Sequence, residues 1–221
     1  MMTGELIFQQ IFEYKDVLKN SLDYFNGDEL AATTWINKYA MKNKKGEFLE
    51  SSPDEMHKRM AAEFARIESN YAASDSAVEE LSTYGQNRSF LSENDIYNLF
   101  KDFKYIIPQG SVMSSLGNPH VIASLSNCVV VPPVLDSYGG IFNTDQQLAQ
   151  LFKRRCGVGV DLSNLRPSGA TVSNAAGTTT GAVSFMNRFS NTTREVAQNG
   201  RRGALMLTMD IAHPDIEDFV T

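Results

Sequence analysis

Three stretches of the chain combine glycine, arginine and small hydroxyl residues in a way that suits phosphate chemistry. Arg154-Arg155-Cys156-Gly157-Val158-Gly159-Val160 sets two guanidiniums beside a backbone that glycine leaves bare. A ligand phosphate could approach such a segment. Close packing with a helix-end charge effect accounts for the same residues, and the order and missing third glycine differ from a dinucleotide fingerprint. Leu165-Arg166-Pro167-Ser168-Gly169-Ala170 leads through Asn174-Ala175-Ala176-Gly177-Thr178-Thr179-Thr180-Gly181 to a helix start. A helix N-terminus offers free N–H groups and a favourable dipole to an anion, though a plain connecting loop has a similar composition. Gln198-Asn199-Gly200-Arg201-Arg202-Gly203-Ala204 presents an amide and two guanidiniums, either for phosphate or base contact or as a solvated surface turn.

Two cysteines, Cys128 and Cys156, are too few for a disulfide scaffold in 221 residues and suit a reducing compartment, the cytoplasm. Cys128 lies in an apolar run, where a cysteine is commonly a small buried hydrophobe. Cys156, beside arginines at a helix end, is expected to have its thiolate favoured electrostatically. His57, His120 and His213 stand alone, so no metal site is expected. The formal net charge of −6 argues against a nucleic-acid partner. No apolar run reaches the roughly 20 residues needed to span a bilayer, and no membrane association is expected.

The elements that must position these groups divide in style. Residues 1–100 read as a helical domain, and residues 101–221 as a second, α/β part. Apolar spacing predicts helices over 5–24 and 29–42. Ser52-Pro53-Asp54-Glu55 starts a helix running to about Tyr71, and Ser92-Glu93-Asn94-Asp95 another ending near Phe103. Beyond Pro108 the pattern becomes strand 124–131, helix 143–155, strand 157–162, helix 180–197 and strand 203–211. His213-Pro214-Asp215 then opens a last helix. Strand and helix alternating at this interval mean βαβ units and a parallel sheet. Such a sheet is normally covered on both faces, so the chain is expected to be a part that needs the rest of its own chain or a partner.

Taken together, the motifs resemble the large, catalytic subunit of ribonucleotide reductases. The resemblance rests on Ser126-Asn127-Cys128-Val129-Val130, Asp136-Ser137-Tyr138-Gly139-Gly140-Ile141-Phe142, Gly157 to Ser163, Leu165-Arg166-Pro167, Thr180 to Met186, Gln198 to Ala204 and His213 to Phe219, in that order. It is close over 100–221 and looser over 30–75. It implies a helical domain followed by a ten-stranded α/β barrel, and radical replacement of the ribose 2′-hydroxyl by hydrogen with electrons from a cysteine pair. Cys128 would be the first member of that pair. Ser111, Asn127, Gly157 and Arg202 would contact substrate, Ser111 from a phosphate loop with Gly110. A deoxynucleoside triphosphate effector, bound at a dimer interface, would meet Asp136, Ser137, Arg166, Gln198 and Arg201, with Asp136 on its ribose hydroxyl and Arg166 on phosphate. Arg201 or Arg202 would report between effector and substrate.

The resemblance further implies a radical source, either adenosylcobalamin or a separate metal-containing radical-generating small subunit. It implies a homodimer of catalytic subunits and a thioredoxin-type reductant. The radical-bearing cysteine, its Asn and Glu, and the second redox cysteine have no counterpart here, and Cys156 is not the thiyl cysteine. A complementary C-terminal reductase chain or segment would have to supply them. Too few residues precede the helical segment for the family's N-terminal ATP cone. The alternatives are a nucleotide-binding and dimerisation module without catalysis, or a structural partner capping another barrel half.

Overall fold

The computed structural model describes residues 10–70, 82–87, 89–196 and 203–221, which form two compact units dividing between Ile122 and Ala123. The division falls downstream of residue 100 because Met113 and Leu116 belong to the helical core.

In the first unit, helices α1 (Tyr14–Tyr24), α2 (Glu29–Lys38), α3 (Pro53–Ser69), α5 (Glu93–Phe100) and α6 (Gly110–Ser115) surround Val17, Trp35, Ile36, Met56, Met60 and Phe100, while the short α4 (Thr83–Asn87) buries no residue. Helix α1 begins later than its apolar spacing suggests, since Phe12 pairs as a β-bridge with Phe48. Residues 5–9 of that expected helix lie outside the described residues. Helix α2 stops at Lys38, short of residue 42. Beyond it the Met41 N–H turns to the buried Glu50 carboxylate at 2.8 Å. Glu50 is itself paired with Arg59 Nε at 2.6 Å. Arg59 also donates to the carbonyls of Met113 and Leu116, tying the end of α6 into the unit.

Ser52 precedes α3 as expected, but its side chain makes no cap bond, and Glu55 accepts from Ser51 N–H instead. Ser92 and Asp95 form a complete capping box on α5. That helix ends at Phe100, and a 3₁₀ turn carries the chain to Phe103.

The second unit contains the expected parallel sheet. Strands β1 (Cys128–Val130), β2 (Gly157–Asp161) and β3 (Leu205–Thr208) lie in the order β1-β2-β3, all parallel, with Cys128 beside Gly157 and Gly159 beside Met206. Strand β1 is shorter than 124–131. Ser124 and Ser126 close a local side-chain turn before it, and Pro132-Pro133, which lack N–H groups, follow Val131.

Helices α7 (Tyr138–Phe152) and α8 (Ala182–Glu195) cover one face of the sheet, burying Val158 and Val160 against Ile141, Leu148, Phe152 and Phe189. Helix α7 starts five residues before the expected position, because Ser137 caps it and its two glycines lie inside the first turn. Gly140 is required there. A Cβ at this position would stand 2.6 Å from both the Cβ and the carbonyl oxygen of Leu135. The short α9 (Ile216–Val220) closes the described chain.

Among the described residues the opposite face of the sheet is open, with Val130 82% and Met206 69% exposed. Apolar side chains on a parallel strand normally lie under a second layer.

Candidate functional site

Where α7 begins, the chain has just left β1 through Val134 and Leu135, and the next two residues are Asp136 and Ser137. The Ser137 hydroxyl accepts from Gly140 N–H at 3.1 Å, which fixes the helix start. Thirty residues on, Arg166 follows β2 and meets Asp136: its Nε donates to Asp136 Oδ2 at 2.7 Å and its backbone N–H to Oδ1 at 3.3 Å. A second guanidinium nitrogen donates to the Thr171 carbonyl at 3.2 Å. Arg166 thus lines a cavity of about 210 Å³ together with Asp136, Ser137, Tyr138, Asn174, Thr179 and Phe185. The site combines one cation, one carboxylate, several hydroxyl or amide groups, and two aromatic rings set edge to face at 6.3 Å. The first turn of a fifteen-residue helix opens at its wall. Such a helix end favours negative charge.

The loop from Ser168 to Gly181 forms the cavity's other side. It folds back on itself, with Gly169 N–H donating to the Thr179 carbonyl and Thr179 N–H to the Ala170 carbonyl, each at 3.0 Å. The composition of the loop marks it as a turn-rich connection. Its participation as a wall, through Val172, Ser173, Asn174 and Thr179, had no signal in spacing.

A second group gathers on the open sheet face. Cys128, Gly157 and Gly159 share that face across β1 and β2, so the thiol stands beside two positions without side chains. Cys128 is exposed, not the buried core hydrophobe its apolar run suggests. Asn127 accepts from Gly157 N–H at 2.6 Å through its backbone carbonyl. Gly157 itself is pressed between strands, where a Cβ would sit 3.3 Å from Asn127 O and 3.4 Å from Ala204 Cβ. Close packing therefore accounts for this glycine.

Cys156 is fully buried, and that burial pushes its thiol pKa up. The expected electrostatic activation is overturned, because burial dominates at this thiol. Arg154 donates to the Gln150 carbonyl at 2.7 Å, and Arg155, in the left-handed region at φ 66°, turns the chain so that Cys156 N–H reaches the Leu151 carbonyl. These two arginines finish a helix. At the far end of β2, hydrogen bonds from Ser163 hold the Asp161 carboxyl below its ordinary range.

Ser111 lies in the first turn of α6 and is buried in the helical unit, where the sequence suggested a loop. Gln198, Arg201 and Arg202 lie outside the described residues. Among the described residues no group of three His, Cys, Asp or Glu side chains could hold a metal ion, and no helix is long and apolar enough to cross a membrane.

Comparison with known proteins agrees with this geometry. The family model of the ribonucleotide reductase all-alpha domain matches residues 25–120, and that of the ribonucleotide reductase barrel domain matches residues 126–221. The chain belongs to the ribonucleotide reductase large-subunit family. It is 32% identical over 210 residues to a vitamin B12-dependent ribonucleoside-diphosphate reductase of Mycobacterium tuberculosis, covering 94% of this chain and 26% of that protein. A protein of the same name from Thermoplasma acidophilum is 30% identical, over 96% of this chain and 32% of its own length. The ribonucleoside-diphosphate reductase large chain 2 of Saccharomyces cerevisiae is 33% identical over 56% of this chain and 14% of its own length. The chain thus spans about a quarter to a third of the B12-dependent relatives it matches. The helical unit and the three parallel strands correspond to the all-alpha domain and the beginning of the barrel domain.

Proposed function

We propose that this chain forms the helical domain, the first barrel strands and the specificity-nucleotide site of a ribonucleotide reductase catalytic subunit. The observation that carries this reading is the meeting of Asp136, Ser137 and Arg166 in one cavity at the start of α7. A deoxynucleoside triphosphate fits its chemistry. Arg166 and the helix end attract phosphate, Asp136 accepts a ribose hydroxyl, and the Tyr138 and Phe185 rings offer a nucleobase an apolar wall.

The reaction is the reduction of a ribonucleotide, with a diphosphate as substrate by analogy with the relatives' names. Two thiols give up two electrons and two protons, a disulfide forms, and the 2′-hydroxyl leaves as water while hydrogen takes its place. Cys128 supplies one thiol, exposed on the sheet face beside Gly157 and Gly159. The partner cysteine, the radical-bearing cysteine and its Asn and Glu come from the remainder of the barrel. That remainder covers the open face with Val130 and Met206. Asn127, with Arg202, contacts the substrate, and Gln198 and Arg201 link effector to substrate. A thioredoxin-type dithiol regenerates the pair, and two catalytic subunits associate as a homodimer.

The B12-dependent relatives match nearly the whole chain and the yeast large chain little more than half, which favours adenosylcobalamin over a radical-generating subunit as the radical source. The described residues do not fit a cobalamin: the open sheet face offers Cys128, Val130 and Met206 around glycines, with no histidine among them. No step of the proposal runs through that group.

A second reading, a nucleotide-binding module without catalysis, is favoured by one fact: among the described residues, those lining the cavity all lie between Asp136 and Phe185 of this chain. Titration calorimetry with dTTP and dATP separates the outcomes. Binding that weakens in Arg166→Ala supports the site. Absence of binding to the chain, with or without the remainder of the barrel, overturns it.

A further inference from the structure

Asp215 sits at the cap position of α9, yet its carboxylate makes no bond to that helix. It turns instead to the loop that walls the nucleotide cavity. Ser168 N–H, where the loop begins, donates to both carboxylate oxygens at 3.0 and 3.1 Å. Ala182 N–H, where the loop ends in α8, donates to Oδ2 at 3.1 Å. One carboxylate thus holds both ends of a fourteen-residue excursion. It is only 6% exposed, so these bonds are shielded from water.

His213 completes the clasp from the other side of Arg166. Its Nε2–H donates to the Leu165 carbonyl at 2.7 Å, and its Nδ1 accepts from Asp215 N–H at 3.0 Å. Leu165 and Ser168 therefore each have a fixed backbone bond, and Arg166 lies between them. Gly181 shows how closely the parts meet. At φ +86° a Cβ there would fall 2.6 Å from Ser168 N and 2.7 Å from Asp215 Oδ2. The left-handed backbone and the contact both require glycine.

We propose that Asp215, oriented by His213, is a positioning residue of the nucleotide pocket: it sets the geometry of Arg166 and of the 168–182 loop without touching the ligand. The inference rests on the reading of that pocket as a deoxynucleoside triphosphate site. In Asp215→Asn the side chain keeps its shape, but an NH₂ group takes the place of one oxygen and opposes the Ser168 N–H. Gly181→Ala opens the same clasp from the opposite side.

The test is dTTP binding by calorimetry to the full protein, in the unaltered form, Asp215→Asn, Gly181→Ala, Arg166→Ala and the Asp215→Asn/Arg166→Ala double variant. Amide hydrogen exchange at Ser168 and Ala182 is followed in parallel. The expected result is a loss of about tenfold in affinity in Asp215→Asn. Exchange should be faster at both amides, and little further loss should appear when Arg166 is already absent. Full additivity of the two substitutions would mean a general structural role and overturn the positioning claim. Unchanged affinity in both Asp215→Asn and Gly181→Ala would overturn it while leaving the pocket reading intact. No dTTP binding to the unaltered protein would overturn the pocket reading and the inference with it.

Discussion

Arg166 Nε lies 2.7 Å from Asp136 Oδ2, thirty residues apart in sequence, so the cation and the carboxylate of the proposed nucleotide cavity pair with each other. Their side chains are 37% and 33% exposed, and an ion pair so open to solvent contributes at most about 1 kcal/mol to folding. Arg166→Ala is therefore expected to leave the unfolding midpoint nearly unchanged while weakening dTTP binding. Thermal unfolding and calorimetry on the same sample check this. A large loss of stability would mean that the pair serves the fold.

His57 predicts a pH dependence in the helical unit. It is fully buried with its ring against Phe100 and Phe103, its Nε2 has no partner among the described residues, and Asp54 and Asp102 only partly offset the cost of burying charge. Burial pushes its pKa from 6.5 down to about 4. The unfolded chain takes up this proton near 6.5 and the folded chain only near 4. The stabilisation is therefore complete above 6.5 and lost as pH falls through that window. The loss should be about 3 kcal/mol by pH 4, read from urea midpoints. His57→Phe should flatten the dependence.

Gly140→Ala should destabilise the second unit by about 1–3 kcal/mol, since the added methyl meets Leu135 backbone, which cannot swing aside. Gly139→Ala, whose Cβ would find only Ser137 Oγ at 3.9 Å, should change the unfolding midpoint little. The contrast between adjacent glycines is the check.

The two thiols should differ in reactivity. Cys128 is exposed, and Cys156 is buried with its pKa raised. An aromatic disulfide reagent should modify one thiol quickly in the folded chain and the second only on unfolding. Mass spectrometry should place the first adduct on Cys128.

The βαβ order and the strand positions were legible because β-branched runs and their intervals carry that information directly. The ends were less so. Gly139-Gly140 looks like a turn and hides the first turn of α7, because a glycine needed for close passage over Leu135 has the same letter as one needed for flexibility. Helix α6 went unread because Gly110 and Ser111 are poor helix formers, and tertiary bonds from Arg59 hold its end.

In the site, Asp136, Ser137 and Arg166 could be named from resemblance, but no periodicity brings residues thirty apart to one cavity. Cys156 misled for a related reason: its burial depends on the fold, and the Arg154 guanidinium beside it is spent on the end of α7. His213 and Asp215 read as the start of a helix, and only the fold reveals that they serve Leu165, Ser168 and Ala182.

Whether Cys128 is a redox thiol of a ribonucleotide reductase is decided by turnover of Cys128→Ser in the assembled enzyme with a dithiol protein as reductant. Multiple turnover should be abolished in this variant while dTTP binding at Arg166 is retained. Normal multiple turnover in that variant would contradict that role.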